Sequence, residues 1–97
     1  MIDLNKALRE ELRWQILQAL DAGRPEPVSE AVLLRILKGK AASVSRAGLQ
    51  REVGYLHSKQ LVRIMDGSDS IQWLKISAVG VDVLENTISP PAGIIRP

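Results

Sequence analysis

Side chains able to recognise another molecule are concentrated between Arg35 and Arg63. That stretch holds seven basic residues (Arg35, Lys38, Lys40, Arg46, Arg51, Lys59 and Arg63) against the single acid Glu52. It carries a net +6 and the rest of the chain −4, for a total of +2. A basic segment on a mildly acidic body is the electrostatic footprint of a polyanion binder. Inside it, Arg46, Gln50 and Arg51 fall on one side of a helical repeat, with Ser43 and Ser45 just ahead of them. A guanidinium donates two parallel hydrogen bonds to guanine or to phosphate, and a carboxamide both donates and accepts at adenine. Serine hydroxyls and the unpaired amides of a helix start suit phosphate oxygens. Lys38 and Lys40, near the turn, add backbone contacts, and Arg63 and Lys75 reach phosphate from two later strands. The competing reading of the same residues is a solvated face that keeps the protein soluble. Charge alone leaves the two about even, so the helix that carries these residues has to decide.

Reactive chemistry is poorly represented elsewhere. The chain has no cysteine, which excludes disulfides, thiolate zinc sites and thiol nucleophiles together. Its one histidine, His57, has no carboxylate cluster tied to it. Glu10 and Glu11 are adjacent, point in different directions on a helix, and cannot act as an acid–base pair. No glycine-rich phosphate loop and no metal-ligand spacing occur. The expectation is a protein with no catalytic residues, no cofactor and no metal. At 97 residues, 45% hydrophobic and 25% charged, the chain fits one globular domain. No apolar run approaches the ~20 residues needed to cross a bilayer, and the first residues lack a signal-peptide layout. A cytoplasmic location is the expectation.

The elements that must position the basic residues follow from hydrophobic periodicity. Leu4, Leu8, Leu12, Ile16 and Leu20, widened by Leu17, predict an amphipathic helix from Leu4 to Ala22, stopped by Gly23, Pro25 and Pro27. A second helix begins after Pro27 with Ser29 as its cap, buries Val32, Leu33, Ile36 and Leu37, and ends at Gly39. A third starts at Ser45, with Leu49, Val53 and Leu56 inward and Arg46, Gln50, Arg51 and Gly54 outward, and closes around Lys59-Gln60. Two helices joined by a short linker, the second basic on its outer face, describe a helix-turn-helix. Leu61 to Met65 and Ser70 to Ile76 read as strands around the turn cluster Asp66-Gly67-Ser68-Asp69, a hairpin signature. Ser77 caps a last short helix from Ala78 to about Asn86. The predicted fold is mainly α with a small β-hairpin wing (α+β), a winged helix-turn-helix of order α-α-α-β-β-α. Residues 1–86 form the domain and residues 87–97 an extended Pro-rich tail.

Two resemblances bear on this pattern. Leu56-His57-Ser58-Lys59-Gln60-Leu61-Val62 and Ile76-Ser77-Ala78-Val79-Gly80 resemble the end of the recognition helix and the close of the wing in bacterial winged-helix repressors of the arsenic-sensing and multiple-antibiotic-resistance types. Gln60 stands where those repressors usually have glycine, and Ser77 replaces threonine. More of the chain resembles small winged-helix proteins of Mu-like prophages. The shared features are the opening helix, Val28-Ser29, Val44-Ser45-Arg46 and the ending Pro91-Ala92-Gly93-Ile94-Ile95-Arg96-Pro97. The resemblance implies a winged helix and a phage context.

On this reading the third helix enters the major groove of double-stranded DNA, with its N-terminal residues toward the bases. The chain is then a DNA-binding protein, a phage or prophage transcription regulator. The hairpin tip argues the other way, because Asp66 and Asp69 would repel phosphate. The alternative is a protein–protein interaction module in phage development that meets a phage or host protein through the acidic wing and the Pro-rich tail. Trp14 lies off the main stripe of its helix, and Trp73 shares a strand face with Lys75 opposite Leu74 and Ile76. Those positions, with the nearly all-apolar last helix, admit a homodimer through the terminal helices.

Overall fold

The computed structural model describes residues 3–40, 44–67 and 71–96. Their elements are α1 (Leu4–Ala22), β1 (Val28–Ser29), α2 (Glu30–Lys38), α3 (Arg46–Ser58), β2 (Val62–Asp66), β3 (Gln72–Ile76) and α4 (Ala78–Leu84). Four helices thus accompany a three-stranded antiparallel sheet of order β1-β3-β2 in a small α+β fold.

Each helix starts where a side-chain oxygen accepts a hydrogen bond from an amide of the first turn. Asp3 accepts from Lys6 N at 3.1 Å, Ser29 from Val32 N at 3.3 Å, Ser45 from Gly48 N at 3.0 Å and Ser77 from Gly80 N at 3.0 Å. Caps of this kind stabilise by about 1 kcal/mol each. The end of α3 is set by Gln60, which adopts a left-handed φ of 63° in the place where the repressor pattern has glycine.

One element departs from the expected order α-α-α-β-β-α. A two-residue strand, β1, lies between α1 and α2 and pairs with β3, Val28 opposite Leu74 and Ser29 opposite Trp73. Two residues are too few to show alternation, so between Pro27 and the Ser29 cap the segment reads as linker. Its presence makes β3 the central strand. In the β2–β3 hairpin, Val62 faces Ile76 and Ile64 faces Leu74 toward the core, while Arg63 pairs with Lys75 and Met65 with Trp73 on the outer surface.

The core is aliphatic. Leu17 and Leu20 of α1, Leu33 and Leu37 of α2, Leu49 and Leu56 of α3 and Leu74 of β3 are buried together. Each such side chain contributes roughly 1.5–3 kcal/mol by leaving water. Two expectations about faces fail here. Leu4 and Leu8 belong to the α1 stripe yet are 65% and 48% exposed, Leu8 lining an open cleft between α1 and the start of α3. Val32 and Ile36 are exposed as well, since α2 turns only Leu33 and Leu37 fully inward.

Residues 87–96 form no helix or strand and fold back over α1, α3 and α4. Ile94 is buried in the main core. Tyr55 Oη donates to Ala92 O at 2.7 Å, and Arg13 Nη1 donates to Gly93 O at 2.8 Å. Arg96 donates to two carbonyls of the last turn of α4, Leu84 at 3.1 Å and Val83, the latter also accepting from Asn86 N at 3.2 Å. Its guanidinium lies 4.9 Å from the centre of the Trp14 ring, which accounts for a tryptophan that is off the α1 stripe and still buried. Gly93 has a φ of 84°, and a Cβ there would collide with the Tyr55 hydroxyl. The Pro-x-Gly-x-x-Arg ending therefore has a physical reason: the glycine permits the turn under Tyr55, and the arginine caps α4.

Candidate nucleic-acid interface

The candidate surface is built on α3, which the capped start at Ser45 orients. Its inner side presents Leu49, Val53 and Leu56 to the core. That leaves Arg46, Gln50 and Gly54, three positions four residues apart, in one exposed row. Arg51 flanks the row and is exposed over 67% of its side chain. A Cβ added at Gly54 would meet nothing within 4 Å, so the row is flat and open at its C-terminal end. A cleft of about 820 Å³ runs between this face and the hairpin, with Glu30, Arg46, Gln50, Gly54, Ile64 and Ile71 on its walls.

Acids from two other positions organise the basic side chains. Glu30, the first residue of α2, accepts from Arg46 Nε at 3.1 Å and from Gln50 Nε2 at 2.9 Å through the same oxygen, Oε1. The Glu30 side chain is 13% exposed and that of Arg46 75%, so the acid is seated and the arginine reaches outward. Glu52 is the one buried charged side chain among the described residues. Its Oε1 accepts from Arg13 Nε at 2.7 Å and its Oε2 from Arg51 Nε at 3.1 Å. Two guanidiniums on one carboxylate compensate for the solvation it has lost. Arg13 in turn stacks 3.8 Å from the centre of the Tyr55 ring. A chain of hydrogen bonds thus runs from Gly93 in the tail through Arg13 and Glu52 to Arg51 beside the exposed row.

The other candidate residues are distributed as follows. Ser45 caps α3, and Lys38 and Lys40 are exposed at the end of α2. Ser43 lies outside the described residues, as do Ser68, Asp69 and Ser70 of the hairpin tip. Arg63 and Lys75 face each other across β2 and β3 and form a separate pair on the outer sheet face, beside the exposed Met65 and Trp73. His57 is exposed.

Glu30, Glu52, Arg13 and Tyr55 are not among the residues that charge and spacing single out as contacts. For Glu52 a signal exists: position 52 lies three residues after Leu49 and four before Leu56, on the buried side of the α3 repeat. For Glu30 and Arg13 there is none, because their partners are 16 and 39 residues away.

No protein-family model and no curated protein matches the chain. Among solved structures, the fold is similar to that of the Helicobacter pylori ferric uptake regulator Fur, with a TM-score of 0.63 at 16% identity. The match covers 70% of this chain and 45% of that one, so it spans less than half of Fur. Fur is described as having three functional metal-binding sites. At this identity the likeness concerns the arrangement of helices and strands, a small α+β fold shared with part of a regulator.

Proposed function

We propose that this chain is a winged-helix DNA-binding protein, a transcription regulator of the kind carried by Mu-like prophages, which lays α3 in the major groove of double-stranded DNA. The observation that carries this reading is the exposed row Arg46, Gln50 and Gly54, flanked by Arg51, on a helix whose other side is fixed in the core. An α-helix fits the major groove, and arginine and glutamine are the side chains that read guanine and adenine edges there. The likeness to part of Fur supports a regulator in general terms. Ser45, with Ser43 ahead of it, Lys38 and Lys40 supply phosphate contacts near the turn, and Arg63 and Lys75 supply them from the hairpin. The protein acts by binding, without a catalytic step or cofactor. Among the described residues no helix is long and apolar enough to cross a membrane, and a cytoplasmic location accords with this role.

The test is titration of a fluorescent random-sequence duplex with wild type and with the Arg46→Ala, Arg51→Ala double variant. The double variant is expected to lose at least ten-fold in affinity and to depend less on salt. Equal affinity for the two proteins would end the proposal.

A second reading, a protein-interaction module, is favoured by the outer sheet face. Met65 and Trp73 are 39% and 37% exposed there, an apolar pair of the kind that meets a phage or host protein. The docked tail, which that reading takes as a contact, has its Ile94 engaged within its own chain. A homodimer is compatible with either role.

A further inference from the structure

The bond pattern at Glu30 bears on which bases α3 accepts, and it rests on the DNA-binding reading above. One carboxylate oxygen takes both Arg46 Nε, at 3.1 Å, and Gln50 Nε2, at 2.9 Å. A carboxylate accepts hydrogen bonds and donates none, so only the amino end of the Gln50 amide can face it. The orientation of that amide is therefore fixed: its oxygen is left without a donor among the described residues, together with one remaining N–H. Arg46, held at Nε, keeps its two terminal nitrogens available.

We propose that Glu30 is a positioning residue that sets the base preference of α3 by locking the Gln50 amide and restraining Arg46. With its oxygen outward, Gln50 accepts from the exocyclic amine of adenine while its second N–H donates to adenine N7. Guanine and thymine present only acceptors, or an acceptor and a methyl group, at that point in the major groove, and both are rejected by a carbonyl that cannot turn away. Arg46 is directed to guanine or phosphate with its terminal nitrogens. The negative charge of Glu30 also weakens the pull of Arg46 on phosphate of any sequence. The acid thus lowers indiscriminate affinity and sharpens discrimination, because a specificity ratio gains when binding to the wrong sequence is penalised. Without Glu30 the amide of Gln50 turns over freely, and the arginine becomes a general phosphate contact.

The experiment uses the full chain, wild type and Glu30→Ala, which removes the acceptor oxygen and the charge together. Duplexes with a randomised core are selected by each protein and sequenced, and affinity for unselected duplex is titrated over a range of salt. Wild type is expected to yield one adenine position with a preference of roughly five- to hundred-fold over guanine or thymine. In Glu30→Ala that preference collapses, affinity for unselected duplex rises, and the slope of log affinity against log salt steepens by about one. A merely structural role for Glu30 would lower thermal stability without moving base preference or salt slope. Glu30→Gln, which keeps an acceptor oxygen and loses the charge, serves if Glu30→Ala folds poorly: the adenine preference is retained while the salt slope still steepens. If wild type selects adenine and Glu30→Ala selects it equally well, or Glu30→Gln keeps the wild-type salt slope, the inference about Glu30 is overturned and DNA binding stands. If wild type binds no duplex at low salt, the DNA-binding reading fails and takes this inference with it.

Discussion

Two residues carry more of the structure than their types suggest. Glu52 reads as the one acid in a basic stretch, yet it is 1% exposed and held between Arg13 and Arg51. Removing one member of a buried ion pair leaves the other charge without compensation and costs about 3–5 kcal/mol. Glu52→Gln is therefore expected to lower unfolding free energy by about 3 kcal/mol in urea titration, and a loss under 1 kcal/mol would contradict the network described. Gln60 presents the opposite case. Its φ of 63° is a left-handed conformation that glycine adopts without a Cβ clash. Gln60→Gly is expected to stabilise by about 0.5–1 kcal/mol, which for a domain of this size raises Tm by several degrees. A lower Tm would show that the Gln60 side chain matters more than its backbone.

At the scale of elements, helix α3 combines strong positioning with one weak point. Gly54 stands mid-helix with open space where a Cβ would go. Glycine there costs roughly 1 kcal/mol relative to alanine. Gly54→Ala should raise stability by about that amount, and if α3 lies against a groove floor, the same methyl should weaken duplex binding. A variant that gains stability and keeps full affinity would place the contact elsewhere on the protein. The four helices and the hairpin are legible in the sequence because each carries its own apolar pattern, with serine caps ahead of α2, α3 and α4 and a turn cluster between the two hairpin strands. The strand β1 is not: Val28 and Ser29 become a strand only because β3 lies alongside. The same limit applies to Leu4, Leu8, Val32 and Ile36, whose spacing marks a helix face without showing whether the body is wide enough to cover it.

At the scale of the whole molecule, the least legible features join distant parts of the chain. The basic residues of the candidate interface could be named from sequence, and so could the exposed face of α3 that carries Arg46, Gln50 and Arg51. The acids that organise them could not, because Glu30 meets Arg46 and Gln50 across 16 and 20 residues, and Glu52 meets Arg13 across 39. The tail adds a link of 80 residues, from Gly93 to Arg13. Since Ile94 is part of the core, deletion of residues 87–97 should cost at least 2–3 kcal/mol, measured by urea unfolding. An unchanged midpoint would mean that the tail's contacts contribute nothing in solution. The central claim, that the basic side chains around α3 engage a duplex, is tested most directly by the salt dependence of wild-type binding to a random-sequence duplex. Engagement of four to six of Lys38, Lys40, Arg46, Arg51, Arg63 and Lys75 predicts a slope of log affinity against log salt of about −4 to −5, from roughly −0.9 per phosphate neutralised. A slope near zero, or no binding at low salt, would contradict it.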